Sequence, residues 1–91
     1  MTDRDPLLTE RQKTHGSFEH NARLSQVLKS VIQGRYDGME HSYKDLCPVH
    51  REALDMIALK LSRILSGQAN FKDHWDDIAG YAKLASEACD K

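Results

Sequence analysis

Five carboxylates fall at spacings that could do chemistry. Glu52 and Asp55 are three residues apart, Asp73 and Asp77 are four apart, and Asp76 lies between the latter two. On a helix, residues three or four apart are neighbours on one face. Two such acidic pairs on facing helices could hold Mg²⁺, a hard cation that takes oxygen ligands and keeps waters for substrate phosphates. The same residues have a structural use. If their helices run antiparallel about a short turn near residue 68, Asp73 comes level with Arg63 and Asp77 with Lys60, as inter-helix ion pairs. Both uses stand at this level.

A second cluster sits near the N-terminus: Arg11, Lys13, His15, Gly16, His20 and Asn21. Cations and amides around a helix start could grip an anion; a polar arm docking on the rest of the chain would look the same. The five histidines show no zinc spacing. Cys47 and Cys89 form neither a metal motif nor a disulfide framework, and both are expected to be reduced and mostly buried. No serine or cysteine has a nucleophile motif around it, which disfavours a Ser–His or Cys–His hydrolase.

The elements that would position these groups are helices. Ser17 suits an N-cap with Glu19 in the first turn, and Leu24, Val27, Leu28, Val31 and Ile32 recur at helical spacing before Gly34. Pro48 suits the first turn of a second helix. There Ala53, Leu54, Met56, Ile57, Ala58, Leu59, Leu61, Ile64 and Leu65 cover more than half the circumference, and Gly67 stops the run. Asn70, with Asp73 three residues on, predicts the cap of a third helix. Its apolar stripe reads Phe71, Trp75, Ile78, Ala79, Ala82, Ala85 and Cys89. Gly80 inside it costs roughly 1 kcal/mol against alanine, which close packing should offset. Residues 34–47 are a connection with one turn of helix at 42–46.

The expected fold is all-α: an antiparallel three-helix unit, about 17–33, 48–66 and 71–89, in a single domain over 17–91, preceded by a polar arm at 1–16. An ordinary bundle helix needs an apolar stripe little more than 100° wide. The second helix exceeds this, so the unit is expected to assemble through it into a homo-oligomer. The length of 91 residues means one small domain. A net charge of -1 gives no reason to bind nucleic acid or an anionic membrane. No apolar run reaches the ~20 residues of a membrane span, and the start has no signal-peptide core. A cytoplasmic protein is expected.

One resemblance adds to this. The residues Arg11-x-x-x-His15-Gly16, Glu19-His20-Asn21, Ala53-Leu54-Asp55-Met56-Ile57 and Lys60-Leu61-Ser62-Arg63 come before the stretch DHWDDIAGYA (73–82). Together they resemble a family of short phage and prophage proteins of unknown function. More distantly the chain is similar to the all-α nucleotide pyrophosphohydrolases of the MazG and dUTPase type. Those are helical oligomers that hold Mg²⁺ between two acidic helices and cleave nucleoside triphosphates to monophosphate and pyrophosphate. The resemblance implies Glu52, Asp55, Asp73 and Asp77 as metal ligands, and Lys60, Arg63, Arg11 and His20 as phosphate contacts. It implies a nucleotide ligand, bound or hydrolysed with Mg²⁺. The alternative is a non-enzymatic oligomeric module that binds a host or phage protein, its acidic residues setting helix register.

Overall fold

The fold is seen in a computed structural model that describes residues 17–35, 38 and 42–89. The expected arm at 1–16, and Arg11 with it, lies outside them. The chain is all-helical. Helix α1 spans Phe18–Ile32, a 3₁₀ turn spans Ser42–Asp45, α2 spans Pro48–Arg63, and α3 spans Lys72–Glu87.

Local chemistry sets these limits. The Ser17 hydroxyl accepts from the His20 N–H at 3.4 Å and starts α1. At its other end Gly34 takes a positive φ of 71°. Arg35 N–H then reaches the Ser30 carbonyl and Gly34 N–H that of Val31, a paired closure that only a left-handed residue permits. Helix α2 ends earlier than its apolar run. Beyond Arg63 the chain widens into a π-type turn, Ile64–Gln68, and Gly67 breaks it at φ 105°. Asn70 does not cap α3: Phe71 is the N-cap residue, with no side-chain bond. Two contacts hold this start instead. The Phe71 ring meets His74 edge-on, with centroids 4.8 Å apart, and Trp75 Nε1 donates to the Ala69 carbonyl at 2.8 Å.

Helix α2 lies in the middle. It packs against both α1 and α3, while α1 and α3 have at most marginal contact with each other. The sides of α2 explain this. His50, on the α3 side, bonds the Ala85 carbonyl at 2.8 Å, and Lys60 meets Asp77 at 2.8 Å. These two contacts run in opposite senses along the helices, so α2 and α3 are antiparallel. Asp55 lies nearly half a turn round from them and accepts from Gln33 Nε2 at 3.3 Å. Gln33 caps the end of α1, so α1 must run back along α2 to bury Asn21 and Ser25. The result is an open layer of three antiparallel helices.

A layer has two faces, and helical geometry at about 100° per residue assigns them. On α2, Leu54, Leu61 and Leu65 share one face, and Glu52, Met56, Leu59 and Arg63 share the other. Right-handed antiparallel neighbours place Leu24 and Val31 of α1, and Trp75 and Ala82 of α3, with the leucines. One face is therefore apolar across all three helices. The interior between the helices is thin. Among the described residues the fully buried apolar ones are Ala53 and Ala58, and the largest fully buried side chains are His74 and Ser62. Leu54, Ile57 and Leu61 are only half-buried, Val31 is 41% exposed and Leu65 64%.

Two expectations are corrected. Only part of the predicted apolar stripe of α3, Ala85 among it, faces α2. His74 is buried, and Tyr81 and Ala85 are half-buried on the same side, because the Asp77 and Ala85 contacts fix the rotation of the helix. Trp75, Ala79 and Ala82 are left exposed. Close packing does not account for Gly80 either, since a Cβ there would meet nothing within 4 Å. Gly80→Ala should therefore stabilise the protein by about 0.5–1 kcal/mol through helix propensity alone, read as a rise in urea midpoint with unchanged slope.

Candidate functional site

The face opposite the leucines carries the charge of α2 and α3. Glu52, Lys60 and Arg63 lie toward it from α2, and Asp73 and Asp77 from α3. The antiparallel pairing sets their spacing. Asp77 is level with Lys60, so Asp55 lies roughly 8 Å from it along the axis, and Glu52 roughly 18 Å from Asp73. One chain does not bring the two acidic pairs together.

Each sequence-singled residue among the described ones has a definite place. Asp77 is bonded by Lys60 at 2.8 Å, with the Lys60 side chain 14% exposed. The Lys60 hydrogen bond holds the Asp77 carboxyl below its ordinary value. Burial opposes this, and the Lys60 charge and the nearby His74 reinforce it. A carboxyl depressed on folding contributes stability above its unfolded pKa and loses it as pH falls. Asp77→Asn should therefore melt below the unsubstituted protein at pH 7, and the gap should close as pH falls past the ordinary value of 3.8. Calorimetry at a series of pH values checks it.

Asp73 and Arg63 do not form the expected ion pair. Asp73 is exposed, and among the described residues it bonds no cation. Arg63 is half-buried, with its Nε buried and lacking a hydrogen-bond partner. The Lys60–Asp77 and His50–Ala85 contacts do bring Asp73 level with Ile64, beside Arg63, but the Asp73 carboxylate stays in solvent while Arg63 is half-buried. Asp55 is engaged elsewhere. Both its oxygens accept from the Tyr43 hydroxyl, at 3.1 and 3.2 Å, and it also accepts from Gln33. It clips the 3₁₀ turn and the end of α1 to the central helix. Burial, then the Asp55 bond and charge, push the Tyr43 phenol up. Glu52 is exposed at the rim of a shallow groove with Val49, Tyr81 and Leu84. Asp76 is taken by Lys72 at 2.6 Å. His20 is exposed on the first turn of α1, on the far helix from Lys60 and Arg63.

The fit to Mg²⁺ follows. Among the described residues, no three of the His, Cys, Asp and Glu side chains gather to hold a metal ion. Asp55 and Asp77 already serve as hydrogen-bond acceptors, so the proposed ligand set does not fit the ion within one chain.

Sequence reasoning also missed a polar contact of Cys89. Both cysteines are exposed rather than buried, and Cys89 Sγ lies 3.8 Å from His50 Nε2. Because the Ala85 carbonyl can only accept, His50 Nε2 carries the proton. Antiparallel pairing of the second and third helices was the signal that could have found this.

Fold and charge distribution together define a small all-helical protein with Leu54, Leu61, Leu65 and Trp75 on one side of the layer, and Glu52, Arg63 and Asp73 among Val49, Met56, Leu59 and Leu84 on the other. The chain belongs to the family described as a domain of unknown function, DUF6378, whose model matches residues 3–89. No curated protein matches the chain, and no solved structure does. No helix among the described residues is long and apolar enough to cross a membrane.

Proposed function

We propose that this protein is a non-enzymatic helical interaction module whose apolar layer face docks on protein. One observation carries the reading: among the described residues the buried interior of the layer is Ala53, Ala58, Asn21, Ser25, Ser62 and His74, with no buried Leu, Ile, Val or Phe. A 91-residue domain has little stability to spare even with a good core, and an exposed apolar face of this breadth marks an interaction surface. The charged residues then keep the other face in water and set helix register, as the Lys60–Asp77 pair does.

A second reading rests on the charged face. Among the described residues Arg63 meets no carboxylate, and Glu52 and Asp73 meet no cation. A MazG-like nucleotide binder would use such groups, with Lys60 and Arg63 against phosphate and the acidic residues completed by a second subunit. One experiment separates the readings. Thermal melting with millimolar nucleoside triphosphates, with and without Mg²⁺, should show no shift if the protein is an interaction module. A rise that requires Mg²⁺ and disappears in Arg63→Ala would establish the nucleotide reading instead.

A further inference from the structure

We infer that the occupant of the apolar face is a second copy of this chain, packed across a two-fold axis with α2 against α2. The inference rests on the docking reading above and names its partner.

Three observations favour a copy over other occupants. The first is area. Helices of fifteen or sixteen residues at 1.5 Å each, three abreast at ~9 Å spacing, present about 650 Å². Each side of an ordinary stable interface contributes ~800 Å², so one matching layer covers the face. The second is the self-complementary pattern on α2. An antiparallel partner centred between residues 59 and 60 sets Leu54 against the partner's Leu65, and Leu61 over the turn that holds the partner's fully buried Ala58, where no large side chain protrudes. A two-fold contact repeats each pairing. The third concerns the chain's own N-terminus. Residues 1–16 contain Met1, Pro6, Leu7 and Leu8 as their apolar residues, too few to cover three helices. The stripe residues are also uncharged, so nothing on them selects a charged partner.

The test is the mass in solution, by light scattering, of the full chain, of Leu65→Lys and Leu61→Glu, and of a chain lacking residues 2–16. Leu65 is 64% exposed in the single chain, so Leu65→Lys leaves the fold intact, which circular dichroism checks. The unsubstituted chain should have the mass of a dimer. Leu65→Lys should raise the dissociation constant about a hundredfold or more, because symmetry buries the new charge twice. The truncated chain should still dimerise. A monomer whose melting temperature collapses on truncation means the arm covers the face, and overturns both the copy and the docking reading. A monomer unaffected by truncation that binds an apolar dye overturns the second copy alone. A dimer whose affinity neither substitution changes places the contact elsewhere and also overturns the inference.

Discussion

Ala58→Asp should abolish cooperative folding of the single chain at neutral pH. Ala58 has no exposed surface and lies in the middle of α2, with α1 and α3 packed to either side. A carboxylate there is buried without a cation or donor, because the nearest lysine on α2, Lys60, is committed to Asp77. An uncompensated buried charge costs about 3–5 kcal/mol or neutralises at a comparable cost. Domains of this size have about 5–14 kcal/mol in total, and an interior of small and polar side chains belongs at the low end. The expected readout is loss of the sigmoidal urea transition followed by helical circular dichroism. Glu52→Ala, on the exposed face of the same helix, should change the midpoint by less than ~0.5 kcal/mol. If Ala58→Asp unfolds with an unchanged transition, the layer interior is more open than described.

The second large effect is expected at Asp55. Asp55→Ala removes the acceptor shared by the Tyr43 hydroxyl and the Gln33 amide, and with it the tie between α2, the 3₁₀ turn and the end of α1. Half-buried donors that lose their partner cost about 1–2 kcal/mol. The loss should be local as well as global. Amide exchange should accelerate at Ser42–Asp45 and in the last turn of α1, while α3 is little affected. The Tyr43 phenol should titrate closer to its ordinary value, since the Asp55 bond and charge both raise it. Tyr43→Phe should reproduce part of this, and a variant with unaltered exchange in the turn would refute the clip.

Much of this fold is legible in the residues. Ser17, Gly34, Pro48 and Gly67 each mark a helix limit for a local reason, and the structure uses them so. The rotation of each helix is less legible. Apolar periodicity points Trp75 and Ala82 of α3 inward, yet polar contacts decide. Asp77 must reach Lys60 and His50 must reach the Ala85 carbonyl, so His74 and Tyr81 turn toward α2. The same lesson covers the candidate site. Carboxylate spacing correctly predicts the Lys60–Asp77 pair. It cannot show that Asp55 faces α1, because its partners Gln33 and Tyr43 are 22 and 12 residues away in sequence. The same residue count brings Asp73 level with Arg63, yet no ion pair forms there, because Asp73 is exposed and Arg63 half-buried.

The rotation of the helices sharpens the case for assembly. Excess apolar surface on the central helix first suggested a partner. The layer shows that all three helices turn an apolar stripe to the same side, and that among the described residues its buried interior consists of small and polar side chains. The charged face remains free in such an assembly, with Arg63, Glu52 and Asp73 open to solvent or ligand.

The most direct test is the melting temperature of the unmodified protein over a roughly hundredfold range of concentration. A chain that completes its core with a second copy must melt higher as concentration rises, because association adds stability by mass action. A midpoint that climbs by several degrees, with mass and melting changing together, is the expected result. A midpoint that is constant with concentration and at or above ~60 °C, in the upper part of the range for ordinary single domains, would show that one chain already has a sufficient core and contradict the account.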